Sequence, residues 1–249
     1  MAIKIAVGFQ KGGVAKSSTT VTLATILGAS GYNVLVADLD TQGNTTKMLT
    51  LESIYENSGK TVMEGIREGN LAKYIRRGMV DLLPAEDELS LFSRYVYKSG
   101  TDEPAHVLRK EIEKLERETD YDIILFDLPP SLSDIVANAI VASDYVLIPV
   151  HLDGVAEDTL SRFIHFIDGK AEILGILFTI KDNRASMERE IGKRIRKQYG
   201  ELVFSSEIRK LAAVGEFTAT GVQLDRKRGR DALKDYMAVA KEVIERVTK

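Results

Sequence analysis

Short apolar runs rich in β-branched residues alternate along this chain with stretches in which apolar residues recur at helical spacing. Such runs are typical of strands that are buried on both faces. They predict strands at 3–9, 33–38, 121–127, 145–150 and 173–180, with weaker candidates at 80–84 and 202–204. Helical spacing predicts helices at about 17–30, 86–98, 103–119, 133–142, 156–167, 186–199 and 231–247. This alternation predicts an α/β fold, with a mostly parallel twisted sheet and helices on both faces.

The composition is that of an ordinary folded protein, since apolar residues make up 44% and charged residues 29% of the 249 residues. No linker, repeat or low-complexity tract is present, so we expect one domain over 1–249, with excursions at about 43–79 and 205–230. The chain has no cysteine, which excludes disulfides, thiolate metal sites and cysteine-held iron–sulfur clusters. With no signal-peptide pattern and no apolar run of membrane-span length, we expect a cytoplasmic protein.

The strongest chemical pattern is the stretch QKGGVAKSSTT, which lies where the first predicted strand ends and a helix begins. Backbone N–H groups of such a loop, with the positive end of the helix, can surround a polyphosphate, and adjacent glycines allow close approach. In this geometry Lys16 would reach the β- and γ-phosphates and Ser17 would place its hydroxyl on Mg²⁺. Ser18 or Thr19 would lie near the α-phosphate. The competing interpretation is a glycine-rich turn that binds no ligand.

Acidic side chains end two further predicted strands. Asp38 and Asp40 end VLVADLD, and alternation places both on one face at the edge of the sheet where ligands bind in such folds. There they can position a water or contact metal-bound water, or alternatively cap the following turn. Asp127 ends YDIILFD, a pattern typical of the Walker B strand, whose Asp holds Mg²⁺ directly or through water. Together with the glycine-rich loop, these strand ends predict a nucleotide site.

These motifs resemble the deviant Walker A ATPases of the ParA/MinD group, and specifically a short ParA-like partition ATPase. The likeness covers nearly the whole chain: KGGVAKSS resembles the nucleotide loop, DLDTQGN the second motif, and FDLPPSLSDIVANAIVASDYVLIPV the Walker B strand and the helix after it. It implies a P-loop NTPase architecture, ATP/ADP and Mg²⁺ as cofactors, and a homodimer that forms with ATP. The implied nucleotide-binding residues are Lys11, Gly12, Gly13, Val14, Ala15, Lys16, Ser17 and Ser18.

The resemblance also implies roles for individual side chains. Lys11 reaches across to the phosphates of the other subunit, and Asp40 helps to activate water. A cation supplied in trans against developing phosphate charge couples hydrolysis to dimerisation, whereas the alternative for Lys11 is a solvated loop lysine. The predicted catalytic residues are therefore Lys11, Lys16 and Asp40. The predicted metal residues are Ser17, Asp127 and Asp38, the two carboxylates acting directly or through water.

Three positions depart from the expected patterns. The strict P-loop pattern has glycine where this chain has Gln10 and Ala15. The ParA group usually has glycine at position 15 and proline where this chain has Thr41. A methyl at Ala15 affects the loop if the backbone there needs a positive φ. None of these changes removes a charge or a metal ligand, so we expect nucleotide binding to survive.

Positive charge is concentrated late in the chain, although the net charge is −3. Residues 181–230 contain 13 Lys and Arg against 7 Asp and Glu, a surplus of +6, so the rest carries −9. Such a surplus favours salt-sensitive, sequence-independent DNA binding, and the alternative is a solvated helix face. Arg184 resembles a DNA-contacting arginine of ParA relatives, whereas Ala213 stands where a second is expected. The predicted DNA-binding residues are Arg184, Lys193, Arg194, Lys197, Arg209 and Lys210, and a further basic cluster comprises Arg226, Lys227, Arg228 and Arg230.

We therefore predict a partition ATPase whose ATP-bound dimer binds DNA nonspecifically, associates with the nucleoid, and releases DNA after hydrolysis stimulated by a ParB-like centromere-binding protein. The first predicted strand begins at residue 3, so we expect no N-terminal helix-turn-helix. The alternatives are a MinD-like membrane-associated positioning ATPase and an ATP-dependent small-molecule ligase on the same fold. The predicted helix at 231–247 lacks Trp and Phe, so we expect it to dock on the core and expect no membrane partner.

Overall fold

The central sheet contains six strands, and every pairing between them is parallel. The computed structural model of the chain describes residues 1–52, 56, 59–182, 184–210, 220–222 and 230–248. The strands are β1 (Ile3–Val7), β2 (Val34–Asp38), β3 (Asp81–Leu83), β4 (Ile123–Asp127), β5 (Tyr145–Val150) and β6 (Glu172–Phe178), in the order β3-β2-β4-β1-β5-β6 across the sheet. The predicted α/β fold is therefore confirmed. The weak candidate at 202–204 is not a strand, because only Val203 forms a bridge, to Ile176.

Helices connect the strands and cover the sheet. They are α1 (Lys16–Ala29), α2 (Asn44–Thr50), α3 (Val62–Glu68), α4 (Phe92–Ser99), α5 (Val107–Glu118), α6 (Asp134–Val141), α7 (Ala156–Ile167), α8 (Ser186–Tyr199) and α9 (Arg230–Val247). Two predicted helices begin later than expected, because 3₁₀ turns occupy Asp87–Leu91 and Pro104–His106.

The segment 43–79 contains α2 and α3, to which the apolar pattern assigned no element. Each spans seven residues, which is too short to display an apolar repeat of helical period. Glycines bound both helices, since Gly43 precedes α2 with φ 58° and Gly69 follows α3 with φ 68°. These positions are in the left-handed region that favours glycine. Most of the second predicted excursion, 205–230, lies outside the described residues.

Two apolar cores lie on opposite faces of the sheet. Side chains of α1, α2 and α9 pack on one face, and those of α3 to α8 pack on the other. On α9 the side chains of Leu233, Tyr236, Ala240 and Val243 are buried. The hydroxyls of Tyr236 and Thr19 lie 3.3 Å apart where α9 crosses α1. The prediction that this helix docks on the core is thus confirmed. No helix in the described part of the chain is both long and apolar enough for a membrane span.

Strand alternation determines which acidic side chains meet. Along β2, Val34 and Val36 face the α1 layer, and along β4, Ile123 and Leu125 do so. Asp38 and Asp127 continue these alternations, so both carboxylates turn towards α1 at the carboxyl edge of the sheet. They are direct register partners on neighbouring strands.

Candidate nucleotide site

An open backbone loop joins β1 to α1 at the carboxyl edge of the sheet. A Cβ atom added at Gly12 or Gly13 would meet no heavy atom within 4 Å, and Gly13 has φ 73°. Lys16 is the first residue of α1, is only 7% exposed, and donates from Nζ to the carbonyl of Lys11 at 2.9 Å. The loop therefore offers free space beside the positive end of a helix and a buried ammonium group, which is the geometry that accepts a polyphosphate.

Ala15 has a backbone conformation that alanine rarely adopts. Its φ is 61° and its ψ is 31°, and its carbonyl accepts the hydrogen bond from the N–H of Thr19 that begins α1. The left-handed conformation costs a residue with a Cβ atom about 1–2 kcal/mol. The backbone at position 15 therefore has the positive φ at which the methyl group of Ala15 affects the loop. This is the position where the ParA group usually has glycine.

Asp38 is fully buried and is held by three donors. The N–H and the hydroxyl of Thr46 each donate to Oδ2 at 2.7 Å, and the N–H of Asp40 donates to Oδ1 at 3.2 Å. The Thr46 hydroxyl also accepts from the N–H of Ala85, which ties the loop after β3 to the site. The surrounding donors therefore fix the orientation of this carboxylate.

Asp127 is also fully buried, and hydroxyl groups surround it. Thr45 donates to Oδ2 at 2.7 Å, Thr20 to Oδ1 at 3.3 Å, and the hydroxyl of Ser17 is a further donor. Carboxylate and hydroxyl oxygens are the ligands that Mg²⁺ prefers. The donor set formed by Ser17, Asp127 and Asp38 therefore fits a magnesium ion.

Burial shifts the pKa of both carboxylates, and the neighbouring charges change the size of each shift. Burial, and then repulsion from Asp127, raise the pKa of Asp38 to about 8. Burial also raises the pKa of Asp127 to about 6, against the lowering effect of its hydroxyl donors and of the Lys16 charge. Lys16 has a lowered pKa because of its burial, although Asp127 and Asp40 oppose this shift. A bound divalent cation would relieve the repulsion between these carboxylates.

Asp40 lies in the same group of charges and is only 7% exposed. Its Oδ1 accepts from the N–H of Gln42 at 3.0 Å, and its carbonyl accepts from the N–H of Gly43 at 2.9 Å. One carboxylate oxygen of Asp40, Oδ1, therefore caps the following turn, as the alternative interpretation of this residue predicts. Its Oδ2 receives no hydrogen bond from the described residues, which leaves it available to a ligand or a water.

Lys11 pairs with an acidic residue of its own chain. Its Nζ donates to Oδ2 of Asp153, which follows β5. Both side chains are partly exposed, at 25% and 32%. Lys11 is therefore neither a solvated loop lysine nor, in this chain alone, a free cation. Sequence reasoning missed Asp153, which is 142 residues away, although an Asp just after a strand is the same signal that identified Asp40.

Sequence reasoning also missed the hydroxyls that hold the carboxylates. Thr45 and Thr46 begin α2, and Thr20 lies one turn into α1. All three are fully buried threonines, and a run of threonines behind an acidic motif is the signal that could have identified them. Thr19, which was a candidate for the α-phosphate, instead turns its hydroxyl towards Tyr236.

Four of the six predicted DNA-binding residues form ion pairs within the chain, and three of these pairs are at 2.9 Å or less. Arg194 binds Glu157 through Nε and Nη2, with a shortest distance of 2.6 Å. Arg209 pairs with Asp235 at 2.9 Å, and Lys193 pairs with Glu190 at 2.9 Å. Such pairs reduce the charge that these residues present to a polyanion.

The other three predicted residues have exposed side chains whose positive charge is weakly paired or unpaired within the described part of the chain. The Arg184 side chain is 92% exposed, and its nearest acid is Asp182 at 3.3 Å. Lys197 and Lys210 are exposed and form no ion pair with the described residues. Ala213, Arg226, Lys227 and Arg228 lie outside the described residues, as does the side chain of Arg230.

The segment that follows β6 pairs with the segment 208–210 at the carboxyl edge of the sheet, where the nucleotide loop also lies. The N–H of Lys181 donates to the carbonyl of Ile208 at 3.0 Å, and the N–H of Lys210 donates to the carbonyl of Lys181 at 2.9 Å. The loop that carries Arg184 and the segment that carries Lys210 are therefore neighbours, while Lys197 lies further along α8.

The fold and the loop together define a P-loop NTPase architecture, and the comparisons agree. The family model described as an AAA domain matches residues 2–174. The chain is 30% identical to the chromosome-partitioning ATPase Soj of Thermus thermophilus over 98% of this chain and 96% of that protein. It is 29% identical to the chromosome partitioning protein ParA of Caulobacter vibrioides, with 97% and 94% covered. The chain belongs to the ParA-like P-loop ATPases.

Solved structures with the same fold include enzymes of a different kind. Cobyrinic acid a,c-diamide synthase from Mycobacterium smegmatis, solved with bound ADP and magnesium, has a TM-score of 0.83 at 23% identity, covering 100% of this chain and 96% of that one. A plasmid partition protein from Borrelia burgdorferi has a TM-score of 0.77 at 22% identity, with 98% of each chain covered. At these identities the likeness establishes the fold alone.

Replacing Ala15 by glycine should stabilise the nucleotide-free protein by about 1 kcal/mol, because glycine adopts a positive φ without strain. Chemical denaturation of the two proteins measures the difference. The matched control is A238G in the exposed face of α9, which should instead cost about 1 kcal/mol through lost helix propensity. If A15G destabilises the protein as A238G does, the strain assigned to Ala15 is wrong.

Proposed function

We propose that this protein is a Mg²⁺-dependent ATPase of DNA partition, a single domain over 1–249 that acts in the cytoplasm. Its ATP-bound dimer would bind DNA nonspecifically on the nucleoid, and hydrolysis stimulated by a ParB-like centromere-binding protein would release it. The observation that carries the proposal is the buried pair Asp38 and Asp127 beside Lys16, at the foot of an open glycine loop. Family membership through the Soj relative supports the same conclusion.

The nucleotide is assigned from the loop and its surroundings. The backbone from Lys11 to Ser18 would surround the phosphates, with Lys16 exchanging the Lys11 carbonyl for phosphate oxygens. Ser17, Asp127 and Asp38 would hold Mg²⁺ directly or through water, and the ion would neutralise phosphate charge. The available Oδ2 of Asp40 would orient the attacking water. The bound ADP and magnesium of the cobyrinic acid a,c-diamide synthase support this assignment by analogy.

Lys11 gives the proposal a physical link between hydrolysis and dimerisation. Within one chain the charge of Lys11 is compensated by Asp153, so Lys16 is the loop lysine that would contact the phosphates of its own subunit. In the dimer, Lys11 would leave Asp153 and stabilise the phosphate charge of the partner subunit. The exchange costs little, because both side chains are partly exposed and such pairs contribute only about 0–1 kcal/mol.

DNA binding is assigned to the exposed and weakly paired cations. Arg184 and Lys210 lie near the nucleotide edge, and Lys197 extends the surface along α8. Dimerisation would place two such surfaces on one particle, so that two weak sites act with the effective concentration of a linked pair. Nucleotide state would thereby control DNA affinity without any base-specific contact.

The first test separates nucleotide binding from hydrolysis. K16A should abolish ATP binding, because it removes the buried cation that the phosphates require. D40A should retain ATP binding and ATP-dependent DNA binding while hydrolysis falls about 100-fold or more. Fluorescent-nucleotide titration and phosphate release measure the two properties. Normal hydrolysis by D40A would remove Asp40 from the mechanism.

The second test is binding to random-sequence duplex DNA with Mg²⁺ and ATP, with ADP, or without nucleotide, over a range of salt concentrations. Binding should require ATP and fall steeply with salt. R184A should weaken DNA binding, with the slope of log affinity against log salt reduced by about 1 for each Arg184 in contact, and leave ATP affinity unchanged. R109A removes an exposed arginine with a comparable acidic partner on α5 and should have no effect. No DNA binding in any nucleotide state would contradict the proposal.

A further inference from the structure

A buried threonine connects the nucleotide loop to the end of the last strand. Thr179 directly follows β6 and is fully buried. Its hydroxyl donates to the carbonyl of Val14 at 3.0 Å, and its N–H donates to the carbonyl of Val150 in β5. The hydroxyl thus binds the peptide group that joins Val14 to Ala15, and the residues on either side of Val14, Gly13 and Ala15, both have positive φ. Any rotation of that peptide must move or break this hydrogen bond.

The residue after Thr179 is strained. Ile180 has φ 55°, a region that β-branched residues avoid because the Cβ atom approaches the backbone too closely. On its far side, Lys181 is fixed by two backbone hydrogen bonds to the segment 208–210. Ile180 is therefore held between two anchors, one on the nucleotide loop and one on the basic surface. Strain of this kind persists only while the surrounding contacts hold it.

We infer that the Thr179 hydroxyl couples the nucleotide loop to the basic segments that carry Arg184 and Lys210. When phosphates enter the loop, the Val14 carbonyl shifts, Thr179 follows it, and Ile180 transmits the change to the paired Lys181 and Lys210. Thr179 is a positioning residue, since it lies behind the loop and donates only to backbone. The consequence for DNA rests on the proposed function, whereas the structural coupling does not.

The key variant is T179V, which keeps the volume and the β-branch of threonine and removes only the hydroxyl. T179S keeps the hydroxyl and should behave as the wild type. The matched control is T25V, because Thr25 is also buried and donates to a backbone carbonyl, that of Val21 within α1, without linking two elements. All three are tested as the full chain.

The primary readout is hydrogen exchange at the amides of Lys181 and Lys210, with and without Mg²⁺ and a slowly hydrolysed ATP analogue. In the wild type, T179S and T25V, the analogue should change their exchange rates by about fivefold or more. In T179V this change should disappear, while affinity for the fluorescent analogue stays within about threefold of the wild type. The ratio of DNA affinities in ATP and ADP should fall in T179V alone.

Two results would overturn the coupling: a wild-type exchange rate at these amides that ignores the analogue, or a T179V protein that responds like the wild type. The first needs no variant and decides the matter even if T179V does not fold. If wild-type exchange responds but no DNA binds in any state, the proposed function fails and the coupling stands. If DNA binding depends on ATP equally in T179V and the wild type, the consequence of the coupling for DNA is wrong and the proposed function stands.

Discussion

Two carboxylates buried side by side are the constraint on which the rest of this structure depends. Asp38 and Asp127 end adjacent parallel strands in direct register, and neither is exposed. Burial disfavours both charged forms and raises both pKa values; repulsion from Asp127 adds to the shift of Asp38, and repulsion from Asp40 adds to that of Asp127. A fold keeps such a pair only where neighbouring donors or a cation compensate it. Here the compensation comes from a shell of threonine hydroxyls, from backbone N–H groups and from Lys16.

This compensation determines the arrangement around the site. α1 begins close to the strand ends, so that Lys16 and Ser17 reach Asp127, and Ala15 directly before the helix lies in the left-handed region. α2 must begin directly behind Asp40 so that Thr45 and Thr46 reach the two carboxylates. The strained backbone of Ala15 and the buried charges of Asp38 and Asp127 therefore lie in one site. In the proposed function, the phosphates would bind the strained loop and the metal ion would bind the buried carboxylates.

Much of this could be predicted from the sequence, because it depends on local periodicity. The strands ending at Asp38 and Asp127 follow from apolar runs, and their shared face follows from alternation. Helices of only two turns, such as α2 and α3, carry too few apolar residues to reveal a period. Ion pairs between distant segments could not be predicted from the sequence either, because local periodicity does not show which segments meet. Asp153 is 142 residues from Lys11, and Glu157 is 37 residues from Arg194. The number of Lys and Arg residues in a segment can therefore predict a charged surface. It cannot predict which of these residues form ion pairs with Asp or Glu in the folded chain.

The most direct measurement of the central claim is the Mg²⁺ dependence of ATP affinity, by calorimetry with excess Mg²⁺ and then with EDTA. If the carboxylate pair and Ser17 form the metal site beneath the loop, ATP should bind at least about tenfold more tightly with Mg²⁺, and D127N should lose this difference. Equal affinity in the two conditions, or a Mg²⁺ effect of the same size in D127N, would contradict the account.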